Sequence, residues 1–584
     1  MLDFLHMPSI PPDCRTARLL RSENGRHPSA RTAFSPDALL GFHLHIPRRL
    51  GVTSAALALA LDGGAELLSL PLVLARQTGG EEEYAALLDL ACLAPHGAFF
   101  TYRIRLESAF GALYAARGVG ARVCIVPNGT AEDCAHSLLL SQPAYPTDDA
   151  FLGGTVYAAS PISQHTGALK SGFATEKDLL THAERLGAHA LWLTANGSEH
   201  PWRAEQILSP AFTQAADARG IALLVDFWLA SGVRVAMPLV ADRSKFLAQG
   251  RDFSPPSPEK CGTEPQIAAG GASTARTVCD HFCGREGVVS TWMGQGASGF
   301  VLRQADAVGD AFLSAARRKL AECGEASLLL GAVREGAHAA IAFGVRRRIC
   351  FGEELDGLLF PAIGHALLAY LAEGEPTPLA HYLEDELMSY PETVLHRSLH
   401  ILSESEESGF LHALARKDPQ NAERLARLGY LIAATLPGSP LILAGEEYGA
   451  GEVCSDNDTL AYYTRLAQLR TREAVYRTGE MRLLHLDEGT LVFSREREGE
   501  ALLTVVNTAD TPFLLAGNFT VVFGGRGRKT RFRVPPKSGM VCRVSLWEGE
   551  EQILRILRGT EAECAEELPR EEGNFVRFAT HGVL

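Results

Sequence analysis

The sequence lacks the cationic stripe that nucleic-acid-binding surfaces carry. Its 584 residues include 55 lysines and arginines against 69 aspartates and glutamates, giving a formal net charge of −14. This charge is spread along the chain, with no lysine- and arginine-rich stripe interleaved with aromatic residues. We therefore expect neither nucleic acid nor an anionic membrane surface as a partner.

The sequence also lacks a long uninterrupted hydrophobic run. Its most apolar stretch, residues 428–445, contains Pro437, Gly438 and Pro440, which predict a buried helix, a turn and a strand. The first eight residues lack the basic and apolar regions of a secretory signal. We therefore expect a protein that has no transmembrane segment and works in the cytoplasm.

Cysteine is sparse and shows no disulfide-framework spacing. Twelve cysteines scattered over this length are typical of reduced thiols in a cytoplasm. Cys279, His281 and Cys283 lie close together and Cys261 could join them, but a second pair with zinc-ligand spacing is missing. The sequence therefore predicts no metal site and no cofactor.

The length of the chain and its apolar periodicity predict several domains. A chain this long exceeds one compact core and is expected to form two to four domains. Residues 1–35, rich in proline, serine and arginine, predict a loosely ordered extension. Alternating segments such as 42–46 and 99–104, separated by glycine-containing turns, predict a β-sandwich over residues 36–140.

Short apolar runs separated by longer amphipathic ones follow from residue 141. Eight such runs predict an α/β fold, a (β/α)8 TIM barrel over residues 141–478, with an excursion at 232–282 after the third strand. We place the strands at 155–159, 190–194, 222–227, 299–303, 327–333, 355–360, 400–403 and 440–444.

The pattern changes again after the barrel. Alternation returns over residues 479–547 and predicts a C-terminal antiparallel β-domain. Residues 548–584 are predicted to form a charged tail with one helical patch at 551–557.

Four segments resemble, in the correct order, motifs of the α-amylase family of glycoside hydrolases. Residues 299–308, Gly-Phe-Val-Leu-Arg-Gln-Ala-Asp-Ala-Val, resemble the family's fourth barrel strand. Residues 219–226 resemble its third strand, 436–447 its eighth strand and 463–470 its last barrel helix. The resemblance is to the neopullulanase and cyclomaltodextrinase branch. It implies a three-domain body and a retaining mechanism that uses two carboxyl groups about 5–5.5 Å apart.

The residues that would perform this chemistry are replaced. Arg303 stands where the family has its nucleophilic aspartate, and a guanidinium has no lone pair with which to form a glycosyl ester. Ala332 stands in place of the general acid, and a methyl group transfers no proton. Glu406 replaces the transition-state-stabilising aspartate, and Ser405 replaces the histidine before it. The resemblance therefore implies that the catalytic triad is not intact.

The substituted positions also predict a charge-compensated pocket. The family's strand carries arginine at the place of Val301, and side chains two residues apart share a strand face. Arg303 should therefore point into the barrel mouth like the family's arginine. We expect it to form an ion-pair cluster with Asp226 and Glu406.

Further candidate pocket residues are Trp228, Tyr157, Ser405 and Glu335. Trp228 shares the strand face of Asp226 and could fill the pocket or offer a sugar-stacking face. Glu335 lies three residues beyond Ala332, and this odd step turns its side chain away while the strand continues. With only five tryptophans in the chain, no other tryptophan is assigned to sugar stacking.

Three functions remain open on the sequence. The leading interpretation is an amylase-fold pseudoenzyme that binds α-glucan oligosaccharides or maltodextrins, or regulates an active relative. The alternatives are an α-glucan-acting glycoside hydrolase with rearranged carboxylates and a structural or partner protein without sugar binding. The resemblance also implies a homodimer formed through the N-terminal sandwich.

Overall fold

The computed structural model divides the chain into two compact units. The first comprises the N-terminal residues up to Gln142 together with Ala380–Glu392, and the second comprises Pro143–Leu379 and Thr393–Ala579. The structure describes residues 10–26, 28–62, 64–93, 97–127, 134–146, 153–159, 175–194, 208–227, 234–235, 252–254, 266–270, 279–303, 305–324, 327–333, 336–342, 345–403, 409–449, 457–525, 527–545, 551–558 and 575–579.

The first unit is built on one ten-stranded sheet. Its strands are β1 (Thr16–Glu23), β2 (Ala33–Phe34), β3 (Leu39–Pro47), β4 (Val52–Leu61), β5 (Glu66–Gln77), β6 (Glu81–Asp89), β7 (Ala98–Ser108), β8 (Gly111–Arg117), β9 (Arg122–Val126) and β10 (His136–Leu140). The sheet is antiparallel apart from the pair β2 and β10, and it closes on itself where β7 pairs with β8. Alternate side chains, including Phe42, Tyr102 and Ile104, form its core.

The prediction of a loosely ordered extension through residue 35 is wrong for residues 16–23. Strand β1 pairs with both β3 and β9. Its core-facing side chains include Arg21, whose Nε donates a 2.7 Å hydrogen bond to the Tyr102 hydroxyl. Because a buried cation occupies a position where periodicity expects an apolar residue, the sequence pattern hides this strand.

The second unit begins with a closed barrel of eight parallel strands. In barrel order these are β11 (Val156–Ala159), β12 (Ala190–Leu193), β13 (Ala222–Asp226), β17 (Gly299–Leu302), β18 (Leu328–Ala332), β21 (Gly357–Phe360), β22 (Leu399–Ile401) and β23 (Ser439–Leu443). The intervening short strands are β14 (Arg234–Val235), β15 (Asp252–Ser254), β16 (Gln266–Gly270), β19 (Ile341–Ala342) and β20 (Val345–Arg346). All eight barrel strands lie where the sequence predicts them, so the TIM barrel is confirmed.

The barrel interior is filled by side chains from alternate strand positions. Leu224, Val301, Leu330 and Leu441 belong to one buried cluster inside the ring of strands. Parallel strands are covered on both faces, which explains why they appear in the sequence as continuous apolar runs. The barrel is therefore a packed core, and any ligand site must lie at its end.

Helices cover or extend the barrel. They are α1 (Glu176–Leu186), α2 (Pro210–Asp217), α3 (Val288–Gly294), α4 (Asp310–Cys323), α5 (Ala362–Glu373), α6 (Thr377–His381), α7 (Glu392–Leu395), α8 (Phe410–Lys417), α9 (Ala422–Thr435), α10 (Asp458–Arg472) and α11 (Val475–Thr478). In the described part of the chain, none of the helices combines the length and the apolar character needed to cross a bilayer.

A buried arginine of α10 ties the first barrel strand to the last. The Arg470 guanidinium donates to the carbonyl oxygens of Gly154, Ala434 and Gly438, and the last distance is 2.5 Å. Burial lowers the pKa of Arg470 to about 10, which leaves the side chain charged at neutral pH. These bonds connect the residues that precede β11 and β23, where the barrel closes.

A second antiparallel sheet follows the barrel. Its strands are β24 (Glu480–Leu486), β25 (Thr490–Arg497), β26 (Glu500–Asn507), β27 (Phe513–Phe523), β28 (Gly527–Val534), β29 (Ser538–Ser545), β30 (Glu551–Arg558) and β31 (Phe575–Ala579). This confirms the predicted C-terminal β-domain. The helical patch predicted at 551–557 is wrong, because β30 pairs with β27 and β31. The hydrogen-bond ladder from those strands outweighs the local helical pattern.

Candidate functional site

Several sequence-predicted site residues lie at the carboxyl ends of neighbouring barrel strands. Asp226 is the last residue of β13, Arg303 directly follows β17, and Ala332 is the last residue of β18. Asp226 lies opposite Val301 in the β13–β17 register, so Arg303 is two residues beyond that partner. The carboxyl end of a TIM barrel is where this fold places its ligand sites.

The predicted ion pair between Arg303 and Asp226 is present. The Arg303 Nε lies 2.5 Å from the Asp226 Oδ2. The Asp226 side chain is only 3% exposed, whereas 41% of the Arg303 side chain remains exposed. The pair therefore neutralises a buried carboxylate with a cation that still reaches solvent. Val301, which stands at the place of the family's arginine, is buried in the barrel core. Arg303, two residues later, is therefore the arginine that lies at the barrel mouth.

Trp192 is a third member of this site, and the sequence interpretation left it unassigned. The Arg303 guanidinium carbon lies 5.2 Å from the centroid of the Trp192 ring, a cation–π distance. Trp192 pairs with Leu224 in the β12–β13 register, two residues before Asp226, and is 4% exposed. Its indole Nε1 is buried and meets no hydrogen-bond partner within the described residues. Trp192 lies two residues after the interior residue Ala190 on the same strand. This spacing could have placed the Trp192 side chain inside the barrel from the sequence alone.

The position of the family's general acid contains no ionisable group. Ala332 is half-buried and packs against the interior cluster of the barrel. The other predicted pocket residues Trp228, Ser405, Glu406 and Glu335 lie outside the described residues. Among the predicted site residues that the structure describes, Asp226 is the one carboxylate, and it is already paired with a cation.

Tyr157 does not face the barrel interior. Its neighbours Val156 and Ala158 belong to the interior cluster, while Tyr157 is fully buried on the opposite face of β11. Its hydroxyl donates a 2.8 Å hydrogen bond to Glu447 Oε1. The prediction of Tyr157 as a pocket residue is therefore wrong. Its side chain lies on the outer face of β11, where it contacts Glu447.

Glu447 organises a buried cluster that the sequence interpretation missed. Its Oε1 is 3.0 Å from His182 Nε2, and its Oε2 accepts a 2.8 Å hydrogen bond from the Gly445 amide. Tyr157 donates to the same carboxylate, so β11, α1 and the turn after β23 meet at one fully buried group. The cluster fixes the end of the last barrel strand.

The neighbouring Glu446 is a buried carboxyl of a different kind. Its Oε1 accepts a 2.5 Å hydrogen bond from the Ser403 hydroxyl, and its Oε2 accepts one of 3.1 Å from the Leu443 amide. Burial raises the pKa of Glu446 to about 7, and the adjacent Glu447 adds to the shift. Glu446 is therefore largely protonated in mildly acidic solution.

The structure describes three residues of the cysteine cluster noted in the sequence, Cys279, His281 and Cys283, whereas Cys261 lies outside the described residues. Cys279 and Cys283 share a hydrogen bond, and burial raises the pKa of the Cys283 thiol to about 12. Among the described residues, no group of three or more histidine, cysteine, aspartate or glutamate side chains could hold a metal ion.

Comparisons with known proteins match this chain at the level of structure. No family model matches the sequence, and no curated protein does. The type III pullulan hydrolase from Thermococcus kodakarensis has 17% sequence identity and a TM-score of 0.54, over 88% of this chain and 98% of that one. A cyclomaltodextrinase has 14% identity and a TM-score of 0.56, over 90% and 99%.

A third solved structure covers less of this chain. An α-amylase from Anoxybacillus has 14% identity and a TM-score of 0.50, over 68% of this chain and 99% of that one. Together these likenesses show a shared fold. They confirm the predicted TIM barrel with N- and C-terminal β-domains. They also agree with the resemblance of the sequence to the neopullulanase and cyclomaltodextrinase branch at the level of the fold.

Proposed function

We propose that this chain is an amylase-fold pseudoenzyme that binds α-glucan oligosaccharides at the barrel mouth without hydrolysing them. The observation that carries the proposal is the ion pair of Arg303 with Asp226 at the place of the family's nucleophile. A guanidinium donates hydrogen bonds but has no lone pair for attack on a sugar. The methyl group of Ala332 likewise supplies no proton to a leaving oxygen, so both halves of the retaining mechanism are missing.

The comparisons and the chemistry of the site support the glucan part of the proposal. The structural relatives include a pullulan hydrolase and a cyclomaltodextrinase, whose names refer to α-glucans. Arg303 is 41% exposed at the barrel mouth, and a guanidinium is a hydrogen-bond donor of the kind that suits sugar hydroxyl groups. The nine described cysteines are free thiols, which supports our proposal of a cytoplasmic location.

Paired binding and turnover measurements test this function. We expect calorimetry to detect maltooligosaccharide binding while the same protein releases no product from maltooligosaccharides, cyclodextrins or pullulan. Turnover that disappears in Glu406→Gln or Glu335→Gln would instead support a hydrolase with rearranged carboxylates. Absence of both binding and turnover would favour a structural or partner protein.

Single restorations of the lost groups are expected to leave the protein inactive. Arg303→Asp supplies a nucleophile without an acid, and Ala332→Glu supplies an acid without a nucleophile. Because the two groups act as a unit, each single variant should stay within tenfold of background product release. The double variant is the matched comparison, and single-variant turnover equal to that of the double variant would contradict this expectation.

We also propose a homodimer formed through the N-terminal sheet. Leu39, Val73 and Leu87, which are 44%, 64% and 65% exposed, lie on the adjacent strands β3, β5 and β6. Strand register places all three on the same face. An exposed apolar patch on a sheet of this kind supports a protein interface.

Leu87→Asp should weaken that dimer at least tenfold, because a carboxylate would be buried at the interface. Sedimentation velocity over a concentration series measures the effect. Ile341→Asp is the matched control, since Ile341 is 63% exposed and belongs to the second unit. A monomeric wild-type protein, or equal effects of the two substitutions, would contradict the proposed interface.

A further inference from the structure

A cleft far along the chain from the barrel-mouth residues lies between helix α10 and the C-terminal sheet. It has a volume of about 690 Å³, and its lining includes Tyr462, Arg465, Arg472, Phe523 and Gly524. Tyr462, Arg465, Leu469 and Arg472 recur at helical spacing, so one face of α10 forms one wall. The end of β27 and the hairpin that follows it form the other wall.

The lining of the cleft is cationic. It includes Arg465 and Arg472, and none of the described lining residues is acidic. Arg465 is exposed, and its Nε donates only to the Ala461 carbonyl oxygen at 3.3 Å. The nearby carboxylate of Glu473 is shared between Arg472, at 3.0 Å, and Arg543. Arg472 and Arg543 thus share one carboxylate, whereas the Arg465 Nε contacts a backbone carbonyl oxygen.

Basic residues also follow the cleft in the sequence. Strand β28 begins at Gly527 on the rim and has the sequence Gly-Arg-Lys-Thr-Arg-Phe-Arg-Val. The interpretation of the charge as evenly spread overlooked this local excess. Within the cleft itself the positive charge comes from Arg465 and Arg472, and positive charge at a concave surface raises the local concentration of anions.

Aromatic rings form the apolar part of the cleft. Tyr462 and Phe523 meet edge to face, with centroids 5.0 Å apart and an interplanar angle of 76°. The Arg465 guanidinium carbon lies 5.8 Å from the Phe523 centroid. Phe523 is only 6% exposed, so the half-buried Tyr462 offers the ring surface. A ring beside a guanidinium suits a ligand with an apolar ring surface and an anionic substituent.

The glycine-rich hairpin leaves backbone exposed at the rim. Gly524 has φ +79°, and a Cβ there would lie 2.5 Å from the Gly539 carbonyl oxygen, so the turn requires glycine. Gly527 has φ +97° and open space around it. A ligand can therefore approach the main chain of the hairpin directly.

We propose that this cleft binds a phosphate monoester of a ring compound, either a sugar or a nucleoside. Arg465 and Arg472 bind the phosphate through charge-assisted hydrogen bonds, for which arginine geometry is well suited. The Tyr462 ring contacts the ring of the ligand. This site is separate in sequence and chemistry from the barrel mouth proposed for neutral glucans.

Calorimetry on the full chain tests the proposal with glucose 1-phosphate, AMP, inorganic phosphate and glucose as probes. We expect at least one of the two monoesters to bind tenfold or more tightly than inorganic phosphate and glucose. The tighter of the two identifies a sugar or a nucleoside as the ring. Arg465→Gln and Arg472→Gln should each weaken that binding at least tenfold, whereas Arg465→Lys should retain part of it.

Arg424→Gln is the matched control, since Arg424 is an exposed arginine on α9 and is not among the residues that line the cleft. It should change the dissociation constant less than twofold. Thermal unfolding of each variant checks that these exposed substitutions leave the fold intact. Monoester binding no tighter than that of inorganic phosphate, or equal losses in Arg424→Gln and Arg465→Gln, would overturn the proposal. Loss of glucan binding at the barrel mouth would leave it unaffected.

Discussion

Replacing Arg303 by leucine is expected to lower the free energy of unfolding by about 2 kcal/mol, between the ~0–1 of exposed ion pairs and the ~3–5 of buried ones. The intermediate value follows from the geometry of the pair. Asp226 is buried, so the substitution removes a cation 2.5 Å from a carboxylate that water reaches poorly. Arg303 is partly exposed, and solvent already screens part of the attraction.

A double-mutant cycle separates the ion pair from other effects of the substitution. Asp226→Asn keeps the size of the side chain and removes its charge. We expect the combined loss in Arg303→Leu with Asp226→Asn to be smaller than the sum of the single losses by about 1–3 kcal/mol. Urea unfolding at constant pH measures all four proteins. Losses that add to within about 0.5 kcal/mol would show that the two side chains do not stabilise each other.

The stability of the wild-type protein should depend on Glu446 between about pH 4.5 and 7. Burial raises the pKa of this carboxyl from 4.5 to about 7 in the folded protein. The protonated Glu446 therefore adds to the free energy of unfolding in full below pH 4.5. This stabilisation is lost as pH rises through 7, when the buried carboxyl must ionise. A pKa difference of about 7 − 4.5 ≈ 2.5 corresponds to about 3 kcal/mol.

Glu446→Gln mimics the protonated carboxyl. The amide oxygen can accept from the Leu443 amide as the carboxyl does, and the amide nitrogen can donate to the Ser403 hydroxyl, which now donates to the carboxyl. Between pH 4.5 and 8, we expect the fall in unfolding free energy to be about 3 kcal/mol smaller in the variant than in the wild type. Unfolding free energies across that range provide the comparison, and parallel wild-type and variant curves would contradict the assigned role.

Other buried groups titrate in the same window, so only the difference between variants is informative. Burial raises the pKa of Glu354 to about 7, and Glu354→Gln is therefore a second variant with the same expected direction. Burial lowers the pKa of His136 to about 3 and that of His400 to about 4. These neutral histidines add stability as pH rises from about 4 towards 6.5, which opposes the carboxyl effect.

The barrel could be predicted from the sequence because each of its strands is marked by its own short run of apolar residues. Strands buried on both faces require short apolar runs, and each run here is followed by a helix or a turn. Strand β1 escaped detection because the buried Arg21 interrupts its apolar alternation and is stabilised by Tyr102, far along the chain. Strand β30 escaped because its partners β27 and β31, and not its own residues, decide its conformation.

The parts of the site that follow from residue spacing along one strand could be predicted, and the parts that depend on contacts between strands or on turns could not. The pairing of Arg303 with Asp226 followed from the rule that residues two apart share a face. Trp192 completes that site from a neighbouring strand, and only the register between β12 and β13 reveals it. Glu447 lies in a turn after β23, where no periodicity indicates whether a carboxylate faces solvent or a buried tyrosine.

We propose that this chain has lost its glycosyl nucleophile, because Arg303 stands at the place of the family's nucleophilic aspartate. A maltosyl fluoride with a second fluorine on the reacting ring tests it most directly, by intact-protein mass spectrometry. Fluoride leaves without a general acid, and the extra fluorine slows hydrolysis of any ester, so the missing acid at Ala332 does not mask a working nucleophile. We predict an unchanged protein mass after incubation. A mass increase of one fluorinated maltosyl unit, mapped to a peptide with a carboxylate at the barrel mouth, would contradict the proposal.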